Sequence, residues 1–247
     1  MRFITLGSSS SGNGYLLKST SGETLIIEAG VKLIEIKKVL DFDLSNISGC
    51  IISHSHNDHS GRLPQYLNAG IRCYMSSKTG EEKMIDLVTD NIQFMFEKQS
   101  YQIGTFRVMP FDLKHDVRCF GFLIYHTECG FTSFITDTHY CPFVFKDLNN
   151  ILIEANYSND IVDKKLLSGN ANIFVRNRVL TSHMEFETTK GFLKANDLSK
   201  VNNIVLIHLS DGNSNALLFK REVRELTGKS VYIAEKGLNI EFNKTGV

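Results

Sequence analysis

The chain has 247 residues, of which 42% are hydrophobic and 22% are charged, a composition that is ordinary for a soluble globular enzyme. Its 27 basic and 27 acidic side chains cancel, which argues against a protein that grips long nucleic acid through a basic excess. The longest apolar runs are far shorter than a membrane span, so no membrane insertion is expected.

The amino-terminal residues and the cysteines indicate the compartment. Residues 1–5 have the pattern of a strand rather than that of a signal peptide. The five cysteines are odd in number and show no Cys-x-x-Cys spacing, so free thiols in a reducing environment are the simplest interpretation. We therefore expect a cytoplasmic protein.

Short apolar segments separated by turn residues predict an alternation of strands and helices along the chain. The predicted strands are 3–6, 15–18, 24–28, 49–53, 72–75, 101–103, 106–110, 121–126, 131–136, 151–154, 204–208 and 231–233. The predicted helices are 31–40, 63–68, 78–89, 188–196 and 215–226. No linker divides the chain, so we expect one domain over residues 1–247, an α/β (α+β) protein built as a four-layer αββα sandwich.

Residues 53–59 concentrate three histidines and one aspartate directly after the apolar run 49–52. In an extended chain, residues two apart point to the same side, so His54 and His56 can bind one metal together. The chain must then turn, which leaves Asp58 and His59 to face a second metal about 3.5–4 Å from the first. The cluster predicts a two-metal hydrolase.

Three more metal-type residues, His115, Asp137 and His208, lie at or just beyond the ends of predicted strands. A single histidine at a strand end is usually a hydrogen-bonded structural residue. Five histidines and two aspartates in this order instead indicate a metal centre.

The order of these residues, HxHxDH at 54–59 followed by a histidine, an aspartate and a histidine, resembles that of the metallo-β-lactamase-fold hydrolase superfamily. The resemblance implies the metallo-β-lactamase fold and two divalent ions. Zn²⁺ suits the histidine-rich ligands, and Mn²⁺ or Fe²⁺ would fit the same set. The implied ligands are His54, His56 and His115 for the first ion, Asp58, His59 and His208 for the second, and Asp137 as a bridge.

Further segments resemble the phosphodiesterase branch of this superfamily, which contains tRNase Z. The exported β-lactamases of the fold lack the bridging aspartate, so β-lactam hydrolysis is not expected. Glu154-Ala155 resembles part of the branch's HEAT motif, and Ser182-His183 resembles the segment that supplies a catalytic histidine. The implied catalytic residues are Asp58, His183 as proton donor and Glu154 as its partner. The alternatives are a surface histidine and a solvated strand-end glutamate.

Residues 7–13 and 208–213 look like the YycJ (WalJ) exonuclease group and its phage-borne relatives, which include enzymes that hydrolyse cyclic nucleotides. In this interpretation Ser10, Ser11 and Asn13 contact substrate, although a plain turn would explain the same composition. Two positions depart from the superfamily pattern. Glu28 stands where an aspartate is usual, and His139 follows the bridging aspartate where glycine is frequent.

The sequence therefore predicts a metal-dependent phosphodiesterase in which a hydroxide held by two metals attacks nucleic acid or a small cyclic nucleotide. The neutral charge and the lack of an inserted tRNA-binding arm favour small nucleotides, whereas the YycJ-like segments favour DNA. A thioester or lactone hydrolase of glyoxalase type and a non-catalytic metal-binding sensor are the alternatives. Relatives are often dimers, so a homodimer is compatible with this interpretation.

Overall fold

A computed structural model of the chain describes residues 1–84, 91–168 and 182–245. Two mixed sheets, each with seven strands among these residues, form the centre of the molecule. The first sheet contains, in spatial order, β14 (Asn239–Glu241), β1 (Arg2–Gly7), β2 (Gly14–Lys18), β3 (Thr24–Ile27), β4 (Ile47–Ile51), β5 (Cys73–Met75) and β6 (Ile92–Phe94). The second contains β13 (Ser230–Ile233), β12 (Asn203–Ile207), β11 (Leu148–Glu154), β10 (Gly130–Ile135), β9 (Cys119–His126), β8 (Phe106–Leu113) and β7 (Tyr101–Ile103).

The helices lie on the outer faces of the two sheets. Their bounds are α1 (Leu33–Val39), α2 (Asn57–Ser60), α3 (Leu63–Asn68), α4 (Ser77–Glu82), α5 (Asn159–Leu167), α6 (Phe186–Ala195) and α7 (Ala216–Thr227). Helix α7 begins at a side-chain cap, where Asn215 accepts a hydrogen bond from the Leu218 N–H, and it ends before Gly228 in the left-handed conformation. Within the described residues, none of the helices combines the length and hydrophobicity needed to cross a membrane.

Three separate apolar clusters confirm the four-layer αββα sandwich. Successive strand residues point to opposite faces, so Leu152 of β11 enters the cluster between the sheets while Ile151 and Ile153 enter an outer one. Phe186 and Phe219 of α6 and α7 cover that outer face. A third cluster packs α1 and α3 on the first sheet. Both faces of each sheet are thus buried, which explains the continuous apolar character of these strands.

The predicted elements agree with the structure except at a few ends. The helix predicted over 78–89 ends at Glu82 within the described residues, and 85–89 lie outside them. Strand β3 ends at Ile27, because Glu28 adopts a left-handed backbone with φ of 70°. The pattern missed the short strands β6 and β14 and the helices α2 and α5, whose hydrophobic periodicity is weak.

Candidate metal centre

The ends of neighbouring strands bring the metal-type residues to one rim of the sandwich. Strands β10, β11 and β12 are parallel, so Asp137, Glu154 and His208 leave the second sheet at the same edge. Strands β3 and β4 are also parallel and deliver Glu28 and His54 from the first sheet. The candidate site therefore lies where both sheets end.

Three of these rim residues have a left-handed backbone, with φ of 70° at Glu28, 50° at Asp137 and 54° at His208. Aspartate and histidine tolerate this region better than most residues, but each such conformation costs on the order of 1–3 kcal/mol. Each one turns the chain sharply at a strand end. The turns aim the side chains into the rim instead of continuing the strand alternation.

The seven predicted ligands come together in the structure. Their potential ligand atoms form overlapping groups in which all atoms lie within 4.8 Å of one another. The groups are His54, His56 and His115; Asp58, His59 and His208; His54, His59 and Asp137; and Asp137, Glu154, His183 and His208. Asp137 belongs to groups on both sides, which is the geometry expected of a bridging ligand.

The imidazoles are held by acceptors on their outward-facing nitrogens. The Nδ1 atom of His54 lies 2.8 Å from Ser53 Oγ, and its Nε2 atom is buried with no protein partner among the described residues. The Nδ1 atom of His115 lies 3.1 Å from the carbonyl oxygen of Ser182. A buried, unpartnered ring nitrogen aimed into a cluster of ligands fits a metal ion, because leaving it empty costs free energy.

Glu28, which departs from the superfamily pattern, places a carboxylate beside a candidate ligand, although the two facing atoms, Glu28 Oε1 and His59 Nδ1, make no hydrogen bond among the described residues. Its Oε1 atom lies 3.3 Å from Nδ1 of His59, and its Oε2 atom accepts a hydrogen bond from the Ser53 N–H. Glu28 is fully buried, so the longer side chain is accommodated by the left-handed turn of its own backbone. The carboxylate still faces the outward nitrogen of a candidate ligand.

Glu154 is buried and joins two histidines through a single oxygen. Its Oε1 atom lies 2.8 Å from Nδ1 of His183 and 3.0 Å from Nδ1 of His208. Its Oε2 atom accepts hydrogen bonds from the backbone N–H groups of Thr138 and Met184. Burial by itself raises the pKa of Glu154, but the neighbouring imidazoles outweigh it and the net pKa is lowered. Glu154 is thus an ionised, fully partnered residue and not a solvated one.

His183 lies beside the metal-type residues without belonging to the predicted ligand set. Its Nδ1 atom faces Glu154 and lies 3.4 Å from Asp137 Oδ1. Burial lowers the pKa of His183, while the Glu154 and Asp137 carboxylates raise it, and the net shift is upward. The residue lines a cavity of about 390 Å³ together with Ser10, His56, Asp58, His115, Asp137, Asn156, Ser182, His208, Leu209, Ser210 and Asn213.

Carboxylate charge dominates the electrostatics of the site. Burial lowers the pKa of His208, but Asp137, Asp58 and Glu154 raise it to about 10. Burial likewise acts against ionisation of Asp137, yet the surrounding imidazoles hold the pKa of that carboxyl well below its usual range. Burial lowers the pKa of His54 and His115, whereas the neighbouring carboxylates keep a proton on His208. Divalent metal binding releases such protons, so the donor set fits a divalent ion.

The three predicted substrate contacts occupy different places. Ser10 lines the cavity of about 390 Å³, whereas Ser11 lines a neighbouring cleft of about 780 Å³. Asn13 is fully buried, and its Nδ2 atom lies 2.9 Å from His59 Nε2 and 3.3 Å from Asp58 Oδ2. The structure places Asn13 against candidate ligands rather than against open space. His139 is exposed on the loop after Asp137 and does not line the cavity.

Two functional contacts escaped the sequence pattern. Asp116 follows His115 directly, and its Oδ1 atom lies 3.3 Å from Nε2 of His56 and 3.1 Å from Nε2 of His115. Ser53 supports His54 from the preceding position. Each of these two residues is adjacent in sequence to a predicted ligand, and this adjacency was the only indication of its role. The local sequence does not show whether the side chain of such a neighbour points toward the site.

Comparison with known proteins agrees with the geometry. The model of the "Metallo-beta-lactamase superfamily" matches residues 9–127. "Exodeoxyribonuclease YycJ" of Bacillus anthracis is 24% identical over 253 residues, which cover 97% of this chain and 92% of that protein. The metallo-beta-lactamase fold protein YhfI from Bacillus subtilis superimposes with a TM-score of 0.72 at 16% identity and covers 97% of this chain and 99% of its own. Human tRNase Z, short form (ELAC1), superimposes with a TM-score of 0.63 at 18% identity. The superposition covers 98% of this chain and 99% of the tRNase Z chain.

The fold and the histidine–carboxylate cluster define a metal-dependent hydrolase. More particularly, residues 9–127 are similar to the metallo-β-lactamase superfamily, and the fold neighbours confirm the predicted architecture over nearly the whole length.

Proposed function

We propose that this protein is a metal-dependent phosphodiesterase and that residues 1–247 act as a single hydrolase domain. The observation that carries the proposal is the sharing of Glu154 between His183 and His208. His183 faces the cavity and is not one of the seven predicted ligands, although it belongs to one of the four converging groups, and His208 is a candidate ligand. A proton donor fixed beside a metal centre is what cleavage of a phosphodiester requires, because the departing alkoxide needs a proton.

The proposed ligands are the seven residues whose ring nitrogens and carboxylate oxygens converge. His54, His56 and His115 would hold one ion, Asp58, His59 and His208 the other, and Asp137 would contact both. Zn²⁺ is the preferred ion for this set. When bound, two divalent ions would supply an activated water and would stabilise negative charge on the phosphate.

The protein's own residues would then position the substrate and move a proton. The Nδ1 atom of His183 is engaged by Glu154, so the Nε2 atom is left to face the leaving oxygen. The upward shift of the His183 pKa keeps this ring protonated to a higher pH than a free histidine. Ser10, on the cavity wall, is the proposed substrate contact of the serine-rich loop. Ser11 borders the neighbouring cleft, and the buried Asn13 contacts candidate ligands instead of substrate.

The substrate is proposed to be nucleic acid or a small cyclic nucleotide. Similarity to an exodeoxyribonuclease over 97% of the chain supports a nucleic-acid end. The cavity of about 390 Å³ is of the size that encloses one small ligand, which suits a single nucleotide unit. The equal numbers of acidic and basic residues also suit a substrate gripped at few phosphates.

The test is to incubate Zn²⁺-loaded protein with 5′-labelled single-stranded DNA, with cyclic mononucleotides and with an acyl thioester. We expect hydrolysis of at least one phosphodiester and a loss of about 100-fold or more in His183→Ala. The matched control is His139→Ala, which removes an exposed histidine outside the cavity. Inertness toward all phosphodiesters would overturn the proposal, and thioester hydrolysis that survives His183→Ala would favour the glyoxalase-type alternative.

A further inference from the structure

The candidate histidine ligands share a common arrangement, and Asp116 completes it. In four of them, the Nδ1 atom lies against an oxygen atom of a neighbouring residue. The pairs are His54 with Ser53, His59 with Glu28, His115 with Ser182, and His208 with Glu154. His56 is oriented the other way round. Its Nδ1 atom lies 3.2 Å from Nε2 of His115, and its Nε2 atom lies 3.3 Å from Oδ1 of Asp116, an oxygen that also lies 3.1 Å from Nε2 of His115.

The hairpin between β8 and β9 places Asp116 at the mouth of the site. Leu113 and Cys119 pair across the hairpin, so the connection presents His115 and Asp116 as consecutive residues. The side chain of Asp116 is 47% exposed, whereas the carboxylates of Glu28 and Glu154 are fully buried. Asp116 is therefore a support that solvent can reach.

The charge of Asp116 is directed at imidazoles rather than at a cation. Across the described residues, no lysine or arginine lies within 4.0 Å of its carboxylate oxygens. The nearby Arg118 is engaged by Asp112 at 2.8 Å and by Glu97 at 3.5 Å. A half-exposed carboxylate that lies within 3.3 Å of two ring nitrogens of candidate ligands indicates a role at the metal centre.

We propose that Asp116 is a positioning residue of the first metal site, which accepts the Nε2–H of His56 and so commits Nδ1 of that ring to the metal. An imidazole carries its proton on one nitrogen when neutral, so fixing the proton on Nε2 leaves the lone pair on Nδ1. A carboxylate partner also raises the basicity of the ligating nitrogen. The inference rests on the proposed two-metal site but not on the identity of the substrate.

Stepwise metal affinity tests the inference. Apo protein is titrated with Zn²⁺ against a chromophoric chelator, and wild type, Asp116→Ala and Asp116→Asn are compared. We expect Asp116→Ala to weaken one of the two binding events by about 10- to 100-fold and to leave the other unchanged. Asp116→Asn should recover part of the loss, because the amide oxygen still accepts a hydrogen bond. Asp147→Ala, which removes an exposed aspartate paired with Lys200, is the control.

Nitrogen NMR of the Zn²⁺-loaded protein gives the signature that a merely structural role would not alter. We expect the His56 ring to carry its proton on Nε2 in the wild type and to lose this preference in Asp116→Ala. Two wild-type-like affinities in Asp116→Ala, or a His56 ring protonated on Nδ1 in the wild type, would overturn the inference. Normal two-ion binding without phosphodiester hydrolysis would remove the proposed function and leave this inference standing.

Discussion

The Oε1 atom of Glu154 lies 2.8 Å from Nδ1 of His183, and the same oxygen lies 3.0 Å from Nδ1 of His208. One buried carboxylate thus orients the proposed proton donor and a proposed metal ligand together. The separation in sequence is 29 residues for the first contact and 54 for the second. Strand β11 delivers the carboxylate between them, so the proposed proton transfer and metal binding would be coupled through a single side chain.

Replacement of His183 is expected to affect catalysis and not metal content. His183→Ala should lower kcat by about 100- to 10,000-fold, because the leaving oxygen loses its proton donor. Elemental analysis should find the same metal content as in the wild type, since the ring is outside the predicted ligand set. A parallel loss of metal would show that His183 is a ligand instead.

Replacement of Glu154 is expected to affect both functions at once. Glu154→Ala removes the acceptor of two imidazoles and of two backbone N–H groups in a buried position. We expect a loss of roughly 3–5 kcal/mol in the free energy of unfolding, together with weaker metal binding. Urea denaturation and elemental analysis measure the two effects, and retention of wild-type stability would contradict the proposed coupling.

The close approach of Gly30 to the HxHxDH turn makes it intolerant of a side chain. A Cβ atom at Gly30 would lie 1.7 Å from the carbonyl oxygen of Asp58, which is backbone and cannot rotate away. Gly30→Ala should therefore displace the turn that carries two proposed ligands and should cost about 1–3 kcal/mol of stability. Metal content should fall with it.

Gly191 provides the control for that substitution. It lies in helix α6, where an added Cβ would meet no atom within 4 Å. Gly191→Ala should stabilise the protein by about 0.5–1 kcal/mol through helix propensity and leave metal content unchanged. Thermal unfolding in the metal-free state separates the two variants, and equal behaviour would contradict the steric argument.

Glu23 ties the two sheets together in a pH-dependent way. Its carboxylate accepts hydrogen bonds from Ser48 Oγ and from the backbone N–H and side chain of Thr105. Burial raises the pKa of Glu23, but these hydrogen bonds outweigh it and the net pKa is lowered. Because the folded state holds the ionised form, the stabilisation is complete above the ordinary pKa of about 4.3 and is lost as pH falls through the lower folded value.

The variant Glu23→Gln should consequently be less stable than the wild type by about 1 kcal/mol near neutral pH. The difference should be constant between about pH 5 and 7 and should shrink as the pH falls below about 4. Urea denaturation at several pH values gives both curves. A difference that grows on acidification would refute the assignment.

Removal of the metal is expected to destabilise the protein, because the rim residues with left-handed backbones then lose the ion that they would hold. Dialysis against a chelator should abolish activity and lower the melting temperature, because an ion that binds only the folded state stabilises it by an amount that grows with the logarithm of its free concentration relative to Kd. Re-addition of Zn²⁺ should restore both. A melting temperature that is insensitive to the chelator would argue against a metal centre in the folded protein.

The sequence by itself determined which residue types stand at the strand ends. The period of two places His54 and His56 on one side, and apolar runs mark the strands that precede Asp137 and His208. These are local patterns, and the fold that they indicate is confirmed. The glutamate at position 28, where an aspartate is usual, was also visible in the sequence.

Only the tertiary structure decided which acceptor holds each imidazole. The contacts of Glu154 with His208 and of Asp58 with His208 cross 54 and 150 residues, so no window along the chain contains both partners. The burial of Asn13 against His59 and the turn of Asp116 toward His56 depend equally on how loops from different sheets approach. Hydrogen-bond geometry is set at the scale of a few tenths of an ångström by that packing, whereas residue type and periodicity fix only the side of the chain that a group occupies.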